Sequence, residues 1–98
     1  MKPEVHIAGL LVHTLPENRR KVVKGISGLH RAEVRAGGKA GKLVVVCECD
    51  SDDELMSLIG RVRDLPGVLN VALVYQHVES AEAMDEVIAD AAEPPRIH

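Results

Sequence analysis

The chain is predicted to be an α+β sandwich in which two helices cover one face of a four-stranded antiparallel sheet. Strand and helix patterns follow one another in the order β-α-β-β-α-β along the 98 residues. The two halves also resemble each other, because apolar residues occupy the first, fourth and sixth positions after both Gly28 and Gly67. Two βαβ halves of this length are typical of the ferredoxin-like fold. Right-handed crossovers then place both helices on one face, with the first and third strands in the centre.

The first half of the chain has the pattern of a strand, a helix and a second strand. Residues 5–13 are apolar at nearly every position and include β-branched residues, which favours a strand. Pro16 suits the first turn of a helix, and residues 16–26 then place apolar side chains at helical spacing. Residues 29–36 alternate between apolar and charged, as in a strand with one face buried.

The second half repeats this order after a hairpin. A glycine-rich connection at residues 37–41 leads into a strand at residues 42–50. Ser51 and Glu54 have the spacing of a capping box, which opens a helix with one apolar stripe. Residues 68–78 are then expected to form the last strand, because they are apolar over most of their length.

Residues 1–79 are therefore expected to form the ferredoxin-like domain, and residues 80–98 an acidic C-terminal tail. Apolar residues in this tail recur at helical spacing, which favours a weak helix over residues 80–92. Pro94 and Pro95 would end that helix.

The composition limits the classes of protein to which the chain can belong. The core must be aliphatic, because the chain contains no Trp, no Phe and one Tyr, and the net charge of −3 argues against a nucleic-acid partner. Cys47 and Cys49 lie two apart on a predicted strand, where they cannot close a normal disulfide, so a reducing compartment is expected. No secretory signal is recognisable, and the apolar runs are too short to span a bilayer. We therefore expect a cytoplasmic protein without membrane insertion.

The sheet face that the helices leave uncovered, which we call the open face, is predicted to be apolar. A half-solvated antiparallel sheet should alternate apolar and polar residues, but only the second strand does so. The repeat pattern and the expected facing of the first strand direct one set towards the helices: Ala8, Leu10, Val12, Ala32, Val34, Val71, Leu73 and Tyr75. The open face then holds the opposite set: Ile7, Gly9, Leu11, Val44, Val46, Ala72 and Val74. Polar residues are expected at its rim: Glu33, Arg35, Glu48, Asn70 and Gln76.

A contiguous exposed apolar patch usually marks an interaction site. Carboxylates at Glu33 and Glu48 would favour a basic partner, such as a basic peptide. Two other occupants of the open face are left open at this point. One is a second copy of the chain, packed sheet to sheet as a weak homodimer, and the other is the acidic tail folded back over the face.

Three strand sequences are distinctive: residues 66–77 (Pro-Gly-Val-Leu-Asn-Val-Ala-Leu-Val-Tyr-Gln-His), residues 8–12 (Ala-Gly-Leu-Leu-Val) and residues 41–46 (Gly-Lys-Leu-Val-Val-Val). Together they resemble the NapD family. The resemblance extends over most of residues 5–79, and the order of elements agrees with it.

The resemblance implies a cytoplasmic maturation chaperone. Members of the family bind the twin-arginine signal peptide of the periplasmic nitrate reductase catalytic subunit and hold back its export until the molybdenum cofactor is loaded. Such a peptide has a basic pair followed by an apolar stretch, which suits an apolar face with an acidic rim. The resemblance and the predicted open face together give the expected peptide-binding residues: Ile7, Gly9, Leu10, Leu11, Val12, Glu33, Val44, Val46, Glu48, Ala72, Val74 and Gln76.

Other residue groups are better explained without a cofactor, a metal or catalysis. Cys47 and Cys49 could bind a soft metal, but two small hydrophobic residues on a strand are the simpler interpretation. The histidines are spread over different elements, and the carboxylates of residues 50–54 are explained by helix capping. No Ser-His-Asp, Cys-His or phosphate-loop arrangement is present, so no enzyme is expected. The alternatives to a peptide-binding chaperone are an ACT-like small-molecule-binding regulatory domain and a metal carrier that uses the two cysteines.

Overall fold

The computed structural model describes residues 4–38 and 40–80, and its elements follow the predicted order. Four strands and two α-helices make up this part of the chain: β1 (Glu4–Thr14), α1 (Arg19–Ser27), β2 (Ala32–Gly37), β3 (Lys42–Cys49), α2 (Asp52–Arg63) and β4 (Val68–Ser80). The last strand therefore extends slightly beyond its predicted end, to Ser80. The rest of the predicted acidic tail lies outside the described residues.

The sheet has the strand order β2-β3-β1-β4, and each pair of neighbouring strands is antiparallel. β1 and β3 are therefore central, as predicted, and β2 and β4 are the edges. Both helices contribute to one core cluster on a single face of the sheet, through Val22 and Ile26 of α1 and Leu55 and Val62 of α2. The predicted ferredoxin-like α+β fold is confirmed.

The two helices begin differently. At the start of α2, Ser51 Oγ accepts a hydrogen bond from the Glu54 amide at 3.1 Å, and Glu54 Oε2 accepts one from the Asp50 amide at 3.2 Å. The predicted serine cap is confirmed, since Ser51 satisfies a backbone donor that the helix itself leaves free. Glu54 differs from the predicted capping box, because it accepts from the residue before the cap and not from the Ser51 amide. Pro16 instead opens a short 3-10 turn, Pro16–Asn18, and α1 follows it from Arg19.

In the middle of β1, every second residue lies in the core. Ala8, Leu10 and Val12 are each 0% exposed, which confirms the predicted facing of this strand. The other strands contribute core residues to the same cluster: Ala32, Val34, Leu43, Val45, Cys47, Cys49 and Val71. Because side chains alternate along a strand, the odd-numbered residues of β1 lie on the open face.

β4 departs from the predicted facing at one extra residue. Leu10 lies opposite Leu73, but Gly9 lies opposite Tyr75, so Val74 has no counterpart on β1. An unpaired residue of this kind is a β-bulge. Because side chains alternate with a period of two, the bulge inverts the facing of the residues that follow it.

Two predicted positions are wrong because of this bulge. Tyr75, which the repeat pattern directs towards the helices, lies on the open face against Gly9. Gln76, predicted at the rim of the open face, lies on the helix side, where its Nε2 donates a hydrogen bond to Asp52 Oδ1 at 2.9 Å. Both errors arise because the prediction assumed strict alternation through a strand that contains an extra residue.

Candidate functional site

The open face is built around three rows of residues that run across the strands. Each row takes one residue from β3, one from β1 and one from β4, because β1 pairs with both of these neighbours. The rows are Glu48–Ile7–His77, Val46–Gly9–Tyr75 and Val44–Leu11–Ala72. Successive rows lie about 6.7 Å apart, since residues on one face recur at every second position of a strand.

The apolar centre of this face is accessible. Val44 is 42% exposed and Tyr75 is 40% exposed, while Ile7, Leu11 and Val46 are half-buried by their neighbours on the sheet. A partner that covered these side chains would remove apolar surface from water, at roughly 1.5–3 kcal/mol for each aliphatic side chain that becomes fully buried. The centre of the open face can therefore supply affinity for an apolar segment.

Gly9 and Tyr75 pack together in the middle row. A β-carbon built on Gly9 would overlap the Tyr75 ring and would lie 2.6 Å from its Cδ1 atom. The ring therefore occupies the space above β1 that a side chain at position 9 would fill. The imidazole of His77 lies beside it, with 5.4 Å between the ring centroids.

Carboxylates are concentrated at one end of the open face. The strand register gives their positions: Glu79 opposite Val5, Glu48 opposite Ile7 and Glu33 opposite Val46. We call Glu33, Glu48 and Glu79 the acidic end. At the other end of the face, Lys42 lies opposite His13. The face is thus negative at one end, apolar in the centre and positive at the far end.

The carboxylates of the acidic end differ in their partners. Glu33 forms an exposed ion pair with Arg35 at 3.4 Å. Arg31 donates to the backbone carbonyl of Glu48 at 2.6 Å and to Asp50 Oδ1 at 3.1 Å. Within residues 4–38 and 40–80, the Glu48 carboxylate itself forms no ion pair. It lines a shallow hollow together with Arg31, Ala32, Glu33 and Val46. Because the Arg31 guanidinium donates to the Glu48 carbonyl and to Asp50, the Glu48 carboxylate remains available to a cation that enters from solvent.

The structure brings most of the predicted contact residues together. On or beside the open face lie Ile7, Gly9, Leu11, Glu33, Val44, Val46, Glu48 and Ala72. The side chains of Leu10 and Val12 are fully buried in the core and are not presented on this face. Val74 is 66% exposed at the bulge, and Gln76 lies on the helix side.

Three open-face residues of β4 were not predicted from the sequence pattern: Tyr75, His77 and Glu79. All three follow the bulge at Val74, which exchanges the two faces of β4. The signal that could have revealed Tyr75 is Gly9, because a glycine within an apolar strand often marks a position where another group approaches the backbone closely.

The two cysteines are separate from this face. Burial raises the pKa of the Cys47 thiol to about 11, with the neighbouring Cys49 acting in the same direction, and burial also raises the pKa of Cys49. Buried thiols with raised pKa values are poor nucleophiles near neutral pH. Among the described residues, no group of three or more His, Cys, Asp or Glu is placed to hold a metal ion, and no helix is long and apolar enough to cross a membrane.

This arrangement defines a class of protein. A continuous apolar sheet face with charge at its ends is suited to holding an extended partner, and the open face presents this surface on a rigid antiparallel sheet. The class is therefore a small α+β binding protein.

Comparison with known proteins places the chain in a family within this class. The family model described as NapD protein matches residues 5–80. A Haemophilus influenzae protein named Chaperone NapD is 31% identical over 71 residues, which cover 71% of this chain and 76% of that protein. The chain therefore belongs to the NapD family of chaperones, which confirms the resemblance of the strand sequences.

A solved structure of a NapD protein has the same fold as this chain. The solution structure of the E. coli Tat proofreading chaperone protein NapD matches with a TM-score of 0.72 and 27% identity. The match covers 100% of this chain and 95% of that chain. The four-stranded sheet and its two helices are thus an architecture shared with a Tat proofreading chaperone.

Proposed function

We propose that this chain binds the twin-arginine signal peptide of a periplasmic nitrate reductase catalytic subunit on its open face. In this proposal the chain acts in the cytoplasm and holds back export until the molybdenum cofactor has been loaded. Its membership of the NapD family supports the proposal, as does the Tat proofreading role named for the structural relative. The role requires binding and release, with no catalytic step.

The observation on which the proposal rests is the match between the open face and such a peptide. A twin-arginine signal peptide combines a basic pair with an apolar stretch. The open face combines carboxylates at Glu33 and Glu48 with the exposed apolar side chains of Val44 and Tyr75. Charge-assisted hydrogen bonds contribute about 1.5–3 kcal/mol each, so the arginines should supply a measurable share of the affinity.

Isothermal titration calorimetry with a synthetic signal peptide tests the proposal. We expect saturable binding in the micromolar range or tighter. Replacement of both arginines by Gln should weaken binding by about tenfold or more, because the carboxylates would lose their charged partners. A peptide of scrambled sequence and equal composition is the matched control.

Two results would contradict the proposal. One is the absence of heat at high micromolar peptide, and the other is equal binding of the scrambled control. Sedimentation of the free chain completes the experiment, since a homodimer packed sheet to sheet would bury the same face. Dissociation of such a dimer on addition of peptide would agree with the proposal, whereas a dimer that excluded the peptide would contradict it.

A further inference from the structure

We propose that the open face binds its peptide in one direction only. The arginine pair lies over the acidic end, and the apolar stretch that follows lies over the row Val44–Leu11–Ala72. The peptide then runs in the same direction as β1, from Val5 towards His13. This inference rests on the proposed function and adds to it the polarity of binding.

The first argument is the unequal distribution of charge along β1. Glu79 and Glu48 lie opposite Val5 and Ile7 of β1. Glu33, which is paired with Arg35 at the surface, lies one strand further out, opposite Val46. Lys42 lies opposite His13, about 27 Å from Val5 for eight residues of extended chain. A peptide in the proposed direction brings its arginines to the carboxylates. A reversed peptide would bring them to Lys42 and would cover the carboxylates with apolar side chains.

The second argument is the availability of the Glu48 carboxylate. Arg31, at the same edge of the sheet, is already engaged with the Glu48 carbonyl and with Asp50. The Glu48 carboxylate can therefore accept an external guanidinium, in a hollow that it shares with Arg31, Glu33 and Val46. If an apolar stretch covered it without a charged partner, this carboxylate would lose its hydration and gain nothing in return.

The third argument is the position of Tyr75 between the acidic and the apolar parts of the face. Tyr75 is the one Phe, Trp or Tyr residue in the chain. The residue is 40% exposed and lies in the row next to that of Glu48. The face of an aromatic ring attracts a guanidinium, and its apolar body also packs against aliphatic side chains. Tyr75 is thus suited to the junction between the arginine pair and the apolar stretch.

The spacing between the rows of the open face agrees with a peptide in which the apolar stretch directly follows the arginine pair. Four residues of β1 separate the row of Ile7 from the row of Leu11, which corresponds to about 13 Å. About nine residues of a helical peptide span this distance, as do about four residues of an extended one. In either conformation, an apolar stretch that begins directly after the arginine pair reaches the apolar row.

Paramagnetic relaxation enhancement tests the direction. Two versions of the peptide carry a nitroxide label, one before the arginine pair and one after the apolar stretch, and calorimetry first measures the binding of each. The first label should broaden the amide signals of Ile7, Glu48 and His77 in the isotopically labelled protein. The second label should broaden those of Leu11, Val44 and Ala72.

The outcomes separate this inference from the proposed function. Binding with the reversed pattern, or with equal broadening at both ends, would overturn the direction and leave peptide binding intact. Broadening confined to the helices would overturn both the direction and the use of the open face. A failure of the unlabelled peptide to bind would overturn the proposed function and, with it, this inference.

A double-mutant cycle provides an independent test with a matched control. Glu48→Gln should weaken binding of the arginine peptide by about tenfold, but should change binding of the Gln-substituted peptide by less than about twofold. Lys42→Gln, at the opposite end of the face, should not weaken binding of either peptide. Equal losses for both peptides with Glu48→Gln, or a loss with Lys42→Gln as large as that with Glu48→Gln, would overturn the proposed direction.

Discussion

Tyr75 occupies the space that a side chain at position 9 would fill, so Gly9 and Tyr75 form a pair across β1 and β4. Glycine weakens a strand because it has no side chain to pack, and an aromatic residue on the neighbouring strand can cover that gap. The Tyr75 ring thereby covers the backbone of Gly9 in the middle row of the open face. It also places an aromatic ring at the centre of an open face whose other apolar side chains are aliphatic.

Gly9→Ala should lower the free energy of unfolding by about 1–3 kcal/mol, because the new methyl group forces the Tyr75 ring from its place. In a Tyr75→Ala background the same substitution should cost much less, with a coupling energy of about 1 kcal/mol or more between the two positions. Urea denaturation of the four proteins measures this coupling. Additive effects of the two substitutions would contradict the described contact.

At the scale of the elements, the sequence was sufficient for the order, the type and most of the facing. The helix-side residues of β1 were predictable because Ala8, Leu10 and Val12 alternate without interruption, and the cap at Ser51 was predictable because it depends on local spacing. The bulge at Val74 was not predictable from alternation, since an extra residue looks like any other residue of an apolar run. Every error on the open face of β4 follows from that single residue.

The cap of α2 can be tested against a serine on the same helix. Ser51→Ala should lower the free energy of unfolding by about 1 kcal/mol, because the Glu54 amide loses its acceptor. Ser57→Ala, in the interior of α2, should have little effect or a slightly stabilising one, since Ala is the better helix former. Thermal and urea denaturation compare the two variants, and equal losses would argue against the predicted role of the cap.

At the scale of the whole molecule, the two faces of the sheet have different roles. The helix side contains the core, in which Leu10, Val12 and their neighbours are fully buried. The open face contains exposed apolar residues and the acidic end. The sequence could predict that this second face exists, because three strands are apolar on both sides. It could not give the position of Tyr75 or Glu79, which depends on the register of β4.

Val44→Asp tests whether binding depends on the open face. Val44 is 42% exposed, so the substitution should cost about 1 kcal/mol of stability or less, yet it should weaken peptide binding by about tenfold or more. Met56→Asp is the matched control, because Met56 is 45% exposed but belongs to α2. Calorimetry and thermal denaturation of both variants distinguish the faces, and equal losses of affinity would contradict an open-face site.

The separation of the core from the open face also affects how such a protein can change. Substitutions at Leu11, Val44 or Ala72 alter what a partner meets without requiring the helices to repack, whereas Gly9 and Tyr75 must change together. A few surface substitutions can therefore change the partner that the open face accepts, while the fold of the protein is retained.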